Sequence, residues 1–186
     1  MMETQNNYSV MAREIIYCGI GMDESVLHFG ACDKNLNFIE TVDQLELDIQ
    51  YTAVDVKEEV QTLFTDYQPS QKTYPWITVN VPMQEFIDDI DDQRYNWTIL
   101  TGIFDKPIYT ERQYQFIDTV IRRCFEFSDN VLFTIKESPP YQTENPMEPY
   151  FQYSILYLFS QIIGIYPKAI IKKVEEGEYI FCISRF

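Results

Sequence analysis

Gly19-Ile20-Gly21, Asp55 and Thr101-Gly102 are the residues of this 186-residue chain whose types and spacing could do chemistry together. A glycine pair after an apolar run lets the backbone turn with positive φ and lets a ligand approach where a Cβ would otherwise stand. A helix starting just beyond it offers unbonded first-turn N–H groups to that ligand. Here the run is Ile15-Ile16-Tyr17-Cys18, and the helix expected after it starts at Asp23 and carries Ser25, Val26, Leu27 and Phe29. Asp55 closes a second run, Ile49 to Val54, and a carboxylate there can accept two charge-assisted hydrogen bonds from a ribose diol. Each feature also has a plain reading. Glycines end strands in many folds, and strand-end aspartates cap helices. A P-loop is excluded because no Gly-Lys-Ser/Thr follows the turn. A dinucleotide fingerprint would want a third glycine where Ser25 and Val26 stand.

These residues need elements to hold them. Short apolar or β-branched runs at 15–18, 49–55, 76–80, 97–101 and 131–135 read as strands. Between them, residues 57–64 and 82–90 carry helical spacing, the second opened by Pro82. The clearest helix begins at the capping-box pattern Thr110-Glu111-Arg112-Gln113 and runs through Phe116, Ile117, Val120, Ile121, Cys124 and Phe125. A proline-rich linker (138–149), an aromatic helix (150–163) and a hairpin around Glu175-Glu176-Gly177-Glu178 complete the chain. Residues 1–12 read as a loose lead-in, and 30–48 as a lid or an added hairpin. The expectation is a single α/β domain over 1–186, a Rossmann-like open twisted sheet, mostly parallel, with an antiparallel C-terminal hairpin and helices on both faces. In such sheets ligands bind beyond the carboxyl ends of the strands where strand order reverses, and this places Gly19, Gly21, Asp55, Thr101 and Gly102 in one crevice.

Composition narrows the partners. A net charge of −15 disfavours nucleic-acid phosphates and anionic lipid, both of which need clustered cations, and suits a basic protein partner. Cys18, Cys32, Cys124 and Cys182 form no CxxC pair, so neither a metal site nor a disulfide framework is expected and the thiols read as reduced. No long apolar run near the start suggests a signal peptide or membrane span, and a cytoplasmic location is expected. The acidic run Asp88-Asp89-Ile90-Asp91-Asp92 reads as a solvated helix end.

Four segments together resemble the class I S-adenosylmethionine-dependent methyltransferases, in particular small members found in bacteria and their phages. They are "IIYCGIGMDES", "IQYTAVD", "YNWTILTGIFD" and "FIDTVIRRCFEFSDNVLFTI", and "EYIFCISRF" matches the family's antiparallel finish. The resemblance implies that Gly19 and Gly21 pass under the amino-acid end of the cofactor S-adenosylmethionine and that Asp55 holds its ribose. Asn80 would lie near the adenine amine, with Thr101 and Gly102 forming the floor between sulfur and acceptor. It implies methyl transfer to a small-molecule or protein acceptor, with alignment and water exclusion as the protein's contribution. The chain departs from the family where Tyr17 stands two positions before Gly19, since relatives carry an acid there.

Ser138-Pro139-Pro140-Tyr141 resembles the tetrapeptide of amino-group DNA methyltransferases, but it follows the fifth strand rather than the fourth and reads as a stiff linker. His28, the only histidine, falls on the expected first helix and reads as a packed or capping residue, not a catalytic base. The aromatic residues Tyr141, Tyr150, Phe151, Tyr153 and Tyr157 read as core, with an acceptor pocket as the alternative. Against the methyltransferase stand two rivals: a non-catalytic copy of the fold that binds a basic partner through its acidic surface, and a nicotinamide-dependent enzyme.

Overall fold

A computed structural model describes residues 6–31, 38–55, 58, 93–105, 112–137, 153–175 and 177–185. In chain order the elements are α1 (Asn6–Ile16), β1 (Ser25–Phe29), α2 (Phe38–Gln44), β2 (Gln50–Val54), β3 (Tyr95–Leu100), α3 (Gln113–Phe127), β4 (Ser128–Lys136), α4 (Ile155–Ile165), β5 (Ile170–Glu175) and β6 (Glu178–Ser184). The six described strands form one sheet in the order β2-β1-β3-β4-β6-β5. β2, β1, β3 and β4 run parallel, and β6 lies antiparallel between β4 and β5. This is the expected open α/β sheet with its terminal hairpin.

The first thirty residues are a correction. Ile15 and Ile16 belong to a helix, not a strand, and Val26 to Phe29 belong to a strand, not a helix. In α1 the residues Ala12, Ile15 and Ile16 fall at i, i+3 and i+4 and are all buried, which is the helical stripe. β1 has helices over both faces, so four consecutive residues, Val26 to Phe29, are buried without alternation. A run that short does not distinguish a doubly covered strand from a helical turn. The helix also begins at Asn6, inside the stretch read as a lead-in. Part of the 30–48 segment is α2, which buries Phe38, Ile39, Thr41 and Val42.

The sheet separates two cores. On one side α1 and α2 cover Val26, Tyr51, Ala53, Trp97, Ile99, Leu132 and Cys182. On the other α3 and α4 cover Leu27, Phe29, Val131, Phe133, Phe181 and Ile183. α3 follows the expected stripe, burying Ile117, Val120, Ile121, Cys124 and Phe125. Its N-terminal residue Arg112 makes no side-chain cap, and Thr110 and Glu111 lie outside the described residues. The helix is held instead by its apolar stripe, each fully buried side chain contributing about 1.5–3 kcal/mol. α4 is capped by Ser154, whose hydroxyl accepts from the Tyr157 amide. Tyr153 is buried core: its hydroxyl donates to the Phe104 carbonyl (2.6 Å) and accepts from the Gln113 amide (2.8 Å), tying the loop after β3 to both helices.

Cys18, Cys124 and Cys182 are free thiols, and those of Cys18 and Cys182 share a hydrogen bond between the end of α1 and β6. An ion pair between Glu14 and Lys172 joins α1 to β5 nearby. Among the described residues no helix is long and apolar enough to cross a membrane, and no cluster of metal-binding side chains is found. The segments 57, 59–64, 76–80, 82–90 and 138–149, with Asn80, the acidic run 88–92, Tyr141, Tyr150 and Phe151, lie outside the described residues.

Candidate functional site

The chain runs from β1 to β2 on one side and then crosses to β3 on the other side of β1. Strand order therefore reverses between β1 and β3, and open sheets of this kind take ligands beyond the carboxyl ends of the strands at such a point. Three segments meet there. The Gly30 amide donates to the Val54 carbonyl at the tip of β2 (3.1 Å), and the Thr101 amide donates to the Phe29 carbonyl at the tip of β1 (3.0 Å). The Gly102 amide reaches the Thr134 hydroxyl on β4 (3.3 Å). Asp55, half-buried, follows Val54 directly. The structure thus brings Asp55, Thr101 and Gly102 to one edge, where the sequence places them.

Gly19 and Gly21 are not at that edge. They lie between α1 and β1, at the amino ends of the parallel strands, a strand length or roughly 15 Å from the crevice. Their turn is built as a structural tie. The Glu24 carboxylate accepts from the Gly21 amide and from the Trp97 indole N–H, both at 2.7 Å. The Glu24 carbonyl accepts from Gln50 at the start of β2, while Asn96 on β3 accepts from the amide and hydroxyl of Ser25. The left-handed residues here are Gly19 (φ 125°) and Asp23 (φ 63°). A Cβ at Gly21 would meet nothing nearer than Glu24 at 3.7 Å. Gly21→Ala is therefore expected to change stability by less than about 1 kcal/mol and to leave ligand binding at the opposite edge unaltered, as calorimetric titration of the variant would show.

The glycine at the strand-reversal edge is Gly30. Its φ is +75°, and a Cβ there would drive directly into the Thr101 carbonyl oxygen, with the Thr101 hydroxyl 3.2 Å away. Only hydrogen in place of a side chain lets β1 and β3 come together at this point. Sequence reasoning missed it although the signal exists: Val26-Leu27-His28-Phe29-Gly30 is an apolar run ended by glycine, just as residues 15–19 are.

His28, expected as a packed or capping residue on a helix, is packed, but on a strand. It is fully buried on the α2 face of β1, edge-on to the Phe38 and Tyr51 rings. Its Nδ1 is 2.7 Å from the Tyr51 hydroxyl and its Nε2 is 2.8 Å from the Thr101 hydroxyl. That hydroxyl in turn donates to the Gly30 carbonyl at 2.9 Å. Burial without a charged partner pushes the imidazole pKa down to about 3, so the ring is neutral at pH 7. At the rim, the Lys136 amine at the end of β4 sits between Asp105 (3.7 Å) and Glu178 (3.4 Å).

No family model matches the chain, and no curated protein does. Solved structures do. The methyltransferase domain of bacterial CtHen1 superposes with a TM-score of 0.60 at 11% identity, covering 96% of this chain and 98% of that one. An S-adenosylmethionine-dependent methyltransferase from Clostridium acetobutylicum ATCC 824 gives 0.59 at 10% identity, over 96% and 90% of the two chains. The glycopeptide N-methyltransferase MtfA, complexed with S-adenosyl-L-homocysteine, gives 0.60 at 9% identity over the same shares. The chain has the fold of these methyltransferases.

Proposed function

We propose that this chain, acting as one domain, binds S-adenosylmethionine at the tips of β1, β2 and β3 and transfers its methyl group to a small-molecule or protein acceptor. One observation carries the reading: Gly30, Asp55 and Thr101-Gly102 share the strand-reversal edge of a sheet whose fold is that of methyltransferases. The residues present suit such a ligand. Gly30 leaves the backbone bare at the β1 tip, and Asp55 sits half-buried on the neighbouring tip, where a carboxylate can take both hydroxyls of a ribose. Asn80, outside the described residues, is the candidate for the adenine side.

The cofactor supplies a methyl group already activated by its sulfonium. The chain's part is to hold the ribose at Asp55, to provide a floor at Thr101-Gly102 and to keep water from the reacting centre. With Gly30 as the first glycine, the residue two positions before it, acidic in the family this chain resembles, is His28.

Calorimetric titration with S-adenosylhomocysteine tests the reading. Wild type is expected to bind, a nicotinamide dinucleotide to give no heat, and Asp55→Ala to weaken binding roughly thirtyfold, the effect of losing charge-assisted bonds of about 2 kcal/mol. Silence of the wild type at millimolar ligand would sink it.

A further inference from the structure

The reach of His28 extends past its own burial, because its two nitrogens connect a strand interior to the crevice. The Thr101 hydroxyl has one proton, and it lies 2.9 Å from the Gly30 carbonyl oxygen and 3.4 Å from that of Phe29. Both carbonyls can only accept, so the arrangement that satisfies the nearer one sends the Thr101 proton to the Gly30 carbonyl and leaves the oxygen to accept from His28. In that arrangement Nε2 carries the ring hydrogen, and Nδ1 is left to accept from the Tyr51 hydroxyl. The result is a directed chain: Tyr51 O–H to Nδ1, Nε2–H to Thr101 Oγ1, and Thr101 O–H to the Gly30 carbonyl. It joins β2, β1 and β3, the three strands whose tips form the candidate site.

We propose that His28 is a positioning residue of this site: protonated on Nε2 alone, it holds the Thr101 hydroxyl on the Gly30 carbonyl and so fixes the two strand tips that face the ligand. The inference rests on the adenosyl reading for the identity of that ligand. Without the Nε2–H donor, the Thr101 hydroxyl gains freedom to rotate away from Gly30, and the tips lose their common reference. An amide at position 28 restores a donor near the Nε2 position, whereas a phenyl ring fills the space without one.

A chain with one histidine makes the test direct. Long-range ¹H–¹⁵N correlation spectra of the wild-type protein at pH 7 should show the Nε2–H tautomer, with a pyridine-like Nδ1, and S-adenosylhomocysteine should shift the Nε2 signal. His28→Gln should bind that ligand within about threefold of wild type, and His28→Phe about tenfold more weakly. An Nδ1–H tautomer, or wild-type affinity in a folded His28→Phe, overturns the role of His28 while leaving the adenosyl reading intact. A wild-type protein that binds no adenosyl ligand overturns both. Should His28→Phe not fold, the tautomer and the ligand-induced shift, both read on wild type, decide.

Discussion

Gly30→Ala is expected to cost the protein a large part of its stability. The substituted methyl would enter the space of the Thr101 carbonyl oxygen, with the Thr101 carbonyl carbon at 3.1 Å and the hydroxyl at 3.2 Å. None of these atoms yields cheaply. The carbonyl belongs to the chain leaving β3, the Thr101 amide is bonded to Phe29, and the hydroxyl is held between His28 and the Gly30 carbonyl. A non-glycine residue at φ +75° adds about 1–2 kcal/mol of backbone strain, and forcing apart two central strands adds about 1–3 kcal/mol or more. Together these reach on the order of 2–5 kcal/mol, a large share of the roughly 5–15 kcal/mol that holds a domain folded. Urea denaturation followed by circular dichroism measures it. A Gly30→Ala midpoint within 0.3 M of wild type would mean that the β1–β3 junction is looser than the hydrogen bonds imply.

The second large effect is acid lability centred on one ring. In the unfolded chain His28 has an ordinary pKa near 6.5, and in the folded protein burial lowers it to about 3. Between those values the unfolded state holds a proton that the folded state refuses, so stability falls as pH falls, by up to about 1.4 kcal/mol per pH unit. The loss is about 2 kcal/mol at pH 5 and about 3 kcal/mol at pH 4, relative to pH 7. The groups against the ring are the Tyr51 and Thr101 hydroxyls and the Phe38 ring, none of which supplies a charge to oppose this. Ordinary carboxylates titrate below pH 5, and the chain has no second histidine. The slope from pH 6.5 to 5 therefore belongs to His28. Denaturant titrations across that window should show it in wild type and lose it in His28→Gln, and an equal slope in both proteins would refute the assignment.

Both effects arise in a stretch where the sequence misled, and the reason is physical. Residues 15–19 and 26–30 are each a short, mostly apolar run ended by glycine, yet the first suggests a strand and the second a helix. What separates them is tertiary: Ala12 extends the first run into a helical stripe, while the second is buried on both faces because helices cover both sides of the sheet. The later elements carried clearer marks. β2, β3 and β4 are rich in β-branched or aromatic residues, α3 has its stripe at i, i+3 and i+4, and the C-terminal hairpin announces itself at Gly177. Asp55, Thr101 and Gly102 were legible for the same reason, each standing directly beyond such a strand. His28 was not, since a lone polar residue in an apolar run reveals nothing of its partners until Tyr51 and Thr101 are brought to it from 23 and 73 residues away.

The position of β6 governs how the molecule can be made. It is the last of the six strands to leave the ribosome, yet it lies inside the sheet, with β4 on one side and β5 on the other. Among the described strands, β5 pairs only with β6, and β6 covers the outer edge of β4, so both wait for residues 178–184. Closure of the sheet thus waits for β6, and a chain shortened before it presents an open strand edge of the kind that seeds aggregation and engages chaperones.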